Sequence, residues 1–272
     1  MLKDITLGQY FPGTTAVHRM DPRMKILLTV AYIIVLFVAD GYISYLAVLA
    51  FLVTAIGISK ISPKVILKGV RPLVFVIALT GILNMFYTPG EGDPLIQWKF
   101  ITIYKEGIIT AIYMIVRIVM LITGTFMLTY TTSPIMLTDG IEKLLNPLKR
   151  IRVPAHELAM MMTIALRFIP TLIEEADKIM SAQKARGADF DSGNILRRAK
   201  ALIPLLVPLF ISAFRRADEL AVAMECRCYR GGTGRTRMRQ LHYSGVDLAA
   251  LLVFLVMTAA VVLCKIFGFG II

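Results

Sequence analysis

Two arginines stand out because their surroundings repeat. Ala176-Asp177, Ala182 and Arg186 recur at identical spacing in Ala217-Asp218, Ala223 and Arg227. Each arginine follows an alanine by four residues, which puts the two on one helical face. Each also sits between small neighbours, Ala185 and Gly187 in one case and Cys226 and Cys228 in the other. A guanidinium is always charged and presents a planar fork of donors, and small flanks let a partner backbone approach while the fork reaches past them. The chemistry is recognition: charge-assisted hydrogen bonds to acceptors on another protein. A single arginine at a helix end has a plainer reading, a cation on the negative end of the helix dipole. The match between two ends favours two equivalent docking tips and two similar partner sites.

Other reactive residue types do not assemble into a catalytic set. His18, His156 and His242 lie in different segments, so no nucleophile, base and orienting group come together. Cys226-x-Cys228 has no His or further Cys at ligand spacing, and Cys264 falls in the last apolar run. The pair reads as small packing residues; no metal and no cofactor are expected. The run from Gly231 to Thr236 follows a helix and lacks the lysine and spacing of a phosphate loop, which assigns nucleotide binding to a different protein. Arg117 lies inside an apolar run, where an arginine costs about 2.5–3.5 kcal/mol; it must face protein, water or a lipid head group. Met160-Met161-Met162 reads as core filling, or as an adaptable surface for several partners. Asp21 and Pro22 form a helix-start signal, with the aspartate as cap.

The elements that must carry these residues are membrane helices. The chain has 272 residues, of which 57% are hydrophobic, and a mean hydropathy of +0.72, against about 45–50% apolar in soluble proteins. Its 30 Lys+Arg against 18 Asp+Glu are explained by basic cytoplasmic loops, without nucleic acid as a partner. No cleavable signal is predicted. Five apolar runs read as spans: Ile26 to Ala39, Tyr42 to Ser59, Leu73 to Tyr87, Gly107 to Tyr130, and Val246 to the C-terminus. The first and third are short against the ~20 residues that span a bilayer and must borrow flanking residues. Lys3, Arg19, Arg23 and Lys25, then Lys60, Lys64, Lys68 and Arg71, mark two segments as cytoplasmic. The alternate connections carry Asp40, then Glu91, Asp93, Lys99, Lys105 and Glu106, without that bias. The expected protein is all-α and multi-pass in the cell membrane: an N-terminal motif with four spans over 1–130, cytoplasmic helices over 131–245, and a fifth span over 246–272 that leaves the C-terminus outside.

The middle of the chain holds 18 of the 30 Lys+Arg yet is rich in Leu, Ile, Met and Ala, the mixture of amphipathic helix. Ser133-Pro134 starts one helix that runs to about Asn146. A second runs from Pro154 to about Arg186, where Gly187 ends it. A third runs from near Asn194 to Tyr229 before Gly231-Gly232. The latter two would each be roughly 50 Å long, arms rather than surface decoration, with Pro170, Pro204 and Pro208 predicting kinks or breaks.

The segment Ser181-Ala-Gln-Lys-Ala-Arg-Gly-Ala-Asp-Phe190, followed by Ala217-Asp-Glu-Leu-Ala-Val-Ala-Met-Glu-Cys-Arg-Cys-Tyr-Arg-Gly231, resembles the transmembrane T component of energy-coupling factor (ECF) transporters. His18-Arg-Met-Asp-Pro-Arg-Met-Lys25 resembles the N-terminal motif of the same family. The resemblance implies a non-catalytic subunit of an ABC-type importer that binds no nutrient itself. It implies coupling helices whose Ala-Arg-Gly tips dock on two ATP-binding cassette ATPases, and a bound S component for a vitamin or transition-metal ion. Carried over, Ala185, Arg186 and Gly187 form the first tip and Cys226, Arg227 and Cys228 the second. His18, Arg19, Asp21, Pro22, Arg23 and Lys25 carry the N-terminal motif. The departure is at Cys226 and Cys228, where alanine and glycine are usual; small size is kept and the glycine's backbone freedom is lost. The methionine cluster suits exchange among several S components. A self-contained secondary transporter is the alternative, which would need ionisable groups and broken helices near the midplane. A lipid-modifying membrane enzyme would need polar catalytic groups clustered at one interface.

Overall fold

A computed structural model describes residues 10–88, 96–98, 101–151, 154–188, 190, 194–231 and 240–267. Lys3, Glu91, Asp93, Lys99, the run after Gly231 and the last five residues lie outside them. The chain forms two compact units, one of Gly8–Gly140 with Leu241–Ile272 and one containing Ile141–Gln240.

The first unit contains α1 (Ala16–Arg19), α2 (Pro22–Val38), α3 (Tyr42–Ser59), α4 (Pro63–Val70), α5 (Val74–Tyr87), α6 (Lys105–Thr131) and α10 (Gly245–Ile266). Asp21 caps α2 with Pro22 behind it, as the sequence predicts. Gly41, at φ +83°, turns the chain sharply from α2 into α3, a conformation a side chain disfavours. A 3-10 turn at Arg71–Leu73 joins α4 to α5. This join turns the short third apolar run into a 25-residue helical stretch, Pro63–Tyr87. Between α5 and α6 the chain makes a small antiparallel hairpin of β1 (Ile96–Trp98) and β2 (Ile101–Ile103), with Ile96 opposite Ile103. The apolar and charge patterns do not announce this hairpin, which leaves the fold all-α in architecture.

The core of this unit is built where α2, α3, α6 and α10 meet, around fully buried Leu36, Val48 and Val261 and nearly buried Met120. Phe37, Leu46, Val53 and Val256 on the same helices are exposed. Helices apolar all round suit a lipid environment, in which association depends on close packing more than on exclusion of water. Two glycines of α6 show that closeness. A Cβ at Gly107 would lie 2.9 Å from the Met85 carbonyl oxygen, and one at Gly124 would run into the Tyr32 ring. Arg117 of α6 is also accounted for. Its Nε donates to the Tyr45 hydroxyl at 2.6 Å and its Nη2 to the Ala39 carbonyl at 3.4 Å. The charge therefore serves the end of α2 and the start of α3, where an unsatisfied carbonyl would otherwise stand.

Helix α7 (Pro134–Leu145) crosses from one unit into the other, and a 3-10 segment (Asn146–Ile151), α8 (Ala155–Ala185) and α9 (Ile195–Cys226) complete the second unit. Both long helices run unbroken through their prolines, Pro170 in α8 and Pro204 and Pro208 in α9. They pack as an antiparallel pair, because partners recede along α9 as the chain advances along α8. The His156 ring meets the Tyr229 hydroxyl at 3.3 Å, Glu175 pairs with Arg216 at 2.9 Å, and Gln183 reaches the Pro204 carbonyl at 3.5 Å.

Among the described residues five helical stretches are long and apolar enough to cross a membrane: α3, Pro63–Tyr87, α6, α8 and α10. The set differs from the expected one at two places. α2, at 17 residues, is marginally short, whereas α8 qualifies by length and composition and is the least apolar of the five. The apolar residues of α8 are concentrated before Pro170 and its charges after it, which is why charge counting groups it with the polar arms.

Candidate coupling tips and the N-terminal junction

The two arginine ends are built alike. In the first, the Gly187 amide donates to the Lys184 carbonyl and the Ala188 amide to the Gln183 carbonyl, both at 3.0 Å. In the second, the Cys228 amide donates to the Glu225 carbonyl at 2.8 Å and the Tyr229 amide to the Met224 carbonyl at 3.0 Å. This pair of bonds is the Schellman motif, which satisfies the last carbonyls of a helix by turning one residue left-handed. Gly187 takes φ +87° and Cys228 φ +54°. Arg186 and Arg227 occupy the same place in each cap, the residue that closes the helix, and both are exposed. Ala185, Gly187, Cys226 and Cys228 are exposed beside them. Cys228 thus adopts the glycine-like conformation despite its side chain, at a cost of about 1–2 kcal/mol.

Because α8 and α9 are antiparallel, the tips stand at opposite ends of the pair. With 31 residues in α8 at about 1.5 Å each, the separation along the axis is roughly 45 Å. Each end presents an exposed guanidinium, Arg186 or Arg227, between small or thiol side chains, and neither is placed to share a ligand with the other.

The N-terminal motif assembles a joint within the first unit. Asp21 accepts from the Arg23 amide at 2.9 Å and from the Arg23 side chain at 3.0 and 2.8 Å. Arg23 also lies over the Tyr243 ring at 4.2 Å. The Asp21 amide donates to Asp247 Oδ1 at 2.8 Å, and the other Asp247 oxygen accepts from the Ser244 amide at 2.7 Å. Asp247 thereby closes a capping box at the start of α10 and ties that start to α2. Lys25 is 5% exposed. Its ammonium donates to the Thr131 carbonyl at 2.9 Å, Thr132 Oγ1 at 3.2 Å and the His18 carbonyl at 3.3 Å, so it satisfies the final carbonyl of α6. His18 is held by Thr15 at 2.7 Å and the Phe11 carbonyl at 3.0 Å.

Burial lowers the His18 pKa below its ordinary value, against the Phe11 carbonyl, and the nearby Lys25 charge acts in the same direction as burial. Burial pushes the Asp21 carboxyl upward, but its bonds to Arg23 outweigh this and hold it below the usual range. Arg19 is exposed. The motif therefore fastens the ends of α2, α6 and α10. Sequence reasoning placed Asp21 and Pro22 and missed Asp247, although Ser244-x-x-Asp247 carries a capping-box signal.

A cavity of about 280 Å³ lies between α1, α2, α3, α6 and α10, with Lys25 at its edge. The hydroxyls of Thr29, Thr54 and Thr131 on its lining are turned back to carbonyls of their own helices, and that of Tyr32 to Met120. Among the described residues no group of three or more His, Cys, Asp or Glu side chains is placed to hold a metal ion.

These features define a multi-pass, all-α membrane protein with a long helical hairpin. The family model described as cobalt transport protein, CbiQ, matches residues 13–238. A Clostridium kluyveri protein named energy-coupling factor transporter transmembrane protein EcfT is 55% identical over 266 residues, 98% of each chain. Proteins of the same name from Acidaminococcus fermentans and Bacillus subtilis are 54% and 45% identical, covering 100% and 95% of this chain and 99% and 97% of their own. The chain belongs to the family of transmembrane components of energy-coupling factor transporters.

Proposed function

We propose that the chain is the coupling subunit of an ATP-driven importer. Its tips at Arg186 and Arg227 each dock on one of two ABC-type ATPases, and its apolar helices hold a substrate-binding S component. The observation that carries this reading is the identical cap at the two opposite ends of one antiparallel hairpin. A rigid pair about 45 Å long with equivalent ends is suited to engaging two similar subunits and conveying their approach to whatever rests on the helices between. ATP hydrolysis belongs to the partners, and so does the nutrient, a vitamin or other micronutrient. The cavity in the first unit supports the latter point, since its hydroxyls are committed to backbone carbonyls and leave little to recognise a polar solute.

The S component is assigned to the apolar surface. α9 leaves Ile203, Val207, Phe210 and Phe214 exposed along one side, and Met161 of α8 is exposed too. A flexible thioether surface accommodates more than one partner, consistent with a module that exchanges S components. The distribution of basic segments supports a cytoplasmic N-terminus and helical hairpin and an outside C-terminus; a cysteine at 192 should resist external labelling and one at 272 should react.

The test is uptake by an R186A/R227A variant. A charge-assisted bond contributes about 1.5–3 kcal/mol, so loss of both should abolish transport while membrane insertion is retained. Lysine should not rescue either position, because a point charge does not reproduce the planar fork. Normal uptake by the double variant would refute the assignment.

A further inference from the structure

The two tips share a backbone geometry and differ in the side chain that closes each cap. In the first cap that residue is Ala188, whose methyl group can make no hydrogen bond; its counterpart in the second is Tyr229. The Tyr229 hydroxyl lies 3.3 Å from His156 Nε2, at the start of α8. The other ring nitrogen, Nδ1, lies 3.1 Å from Glu142 Oε1, in the last turns of α7. With a carboxylate fixing the proton on Nδ1, Nε2 is left as an acceptor and the tyrosine hydroxyl donates to it. The His156 and Glu142 side chains are mostly buried, at 23% and 14% exposure, so water competes weakly for these bonds.

We propose that Tyr229, His156 and Glu142 form a latch that positions Arg227 and makes the two coupling tips mechanically unequal. The backbone amide of Tyr229 helps close the cap that presents Arg227, while its side chain is anchored to α8 and, through His156, to α7. The second tip is a fixed point of the hairpin. The first, whose cap closes on Ala188 with no side-chain bond from that residue, lies at the far end of α8 and moves with it. An asymmetric pair of this kind turns the approach of two ATPases into a rotation about the latched end. The three residues touch no ATPase themselves; they are positioning residues, and their role rests on the coupling reading above.

The experiment measures ATPase association with detergent-purified full-length protein in two single-tip backgrounds. In R186A, where the second tip alone remains, adding Y229F should lower association roughly three- to tenfold. In R227A, where the second tip is already lost, Y229F should change nothing. E142A should behave as Y229F does, and E142Q, which keeps an acceptor oxygen, should retain association. Thermal midpoints recorded alongside identify any variant that simply unfolds, since unfolding would lower association in both backgrounds equally. An equal effect in both backgrounds, or none in either while R186A and R227A each weaken association, overturns the latch and leaves the tips standing. If neither arginine variant weakens association, the tip assignment fails and the latch with it.

Discussion

Exchanging the residue after each arginine should act in opposite directions at the two tips. Gly187 and Cys228 both hold a left-handed conformation, at φ +87° and +54°. No atom lies within 4 Å of a Cβ built on Gly187, so Gly187→Ala introduces no clash and its cost is conformational alone. That cost is about 1–2 kcal/mol, or roughly five- to thirtyfold in the equilibrium between closed and frayed cap. Cys228→Gly removes a strain of the same kind and should tighten the second cap by about 1 kcal/mol, offset in part by the greater freedom of glycine in the unfolded chain. Hydrogen exchange at the Ala188 and Tyr229 amides reads the two caps separately, because each amide closes its own cap at 3.0 Å. Gly187→Ala should speed exchange at 188 and leave 229 unchanged; Cys228→Gly should slow it at 229 and leave 188 unchanged. Equal protection in wild type and both variants would show that left-handed residues do not hold these caps.

The N-terminal junction gives two further expectations. Asp247→Ala leaves the amides of Asp21 and Ser244 without their acceptor and should lower stability by about 2–4 kcal/mol, seen as a lower melting temperature in detergent, with Asp247→Asn affected less. His18 and Asp21 both have lowered pKa values in the folded protein, so each contributes stability that is present above its ordinary value and lost as pH falls. Melting temperature should therefore decline as pH drops below about 6.5 through His18 and further in the carboxylate range through Asp21. His18→Ala, less stable at neutral pH, should lack the first part of the slope; an unchanged slope would show that another group titrates there.

Much of the helical layout was legible because hydropathy and punctuation act locally. The Tyr42–Ser59 run reproduces α3, Ser133-Pro134 announces α7, and Gly187 ends α8 where the sequence places it. The departures have identifiable causes. Pro170, Pro204 and Pro208 stand inside continuous helices, so of the kinks or breaks expected there the breaks do not occur: a proline removes one backbone bond, and the bonds of the turns on either side remain. The third span reads short in the sequence because Lys68 and Arg71 interrupt the apolar run, while the backbone continues through them as α4 and a 3-10 turn. α8 passes as a possible span on its apolar first half.

The likeness of the tips was visible as a repeat, but the conformation of Cys228 was not. A residue with a Cβ gives no local signal for a left-handed turn, and only the matching position of Gly187 hints at it. Pairings across the chain, such as Asp21 with Asp247 and His156 with Tyr229, depend on which helices become neighbours, information that no short window contains.

The central claim is that each arginine tip meets an ATPase, and site-specific cross-linking tests it most directly. A C226A/C228G/C264S background gives the second tip the alanine and glycine of the first and removes every native thiol. A single cysteine, introduced at position 185 or restored at position 226, then carries a short photoactivatable probe in the assembled transporter. Both positions are expected to capture an ATPase subunit, with capture lost at 185 in R186A and at 226 in R227A. Capture of an ATPase from neither position, in a complex shown to contain the ATPases, would contradict the claim.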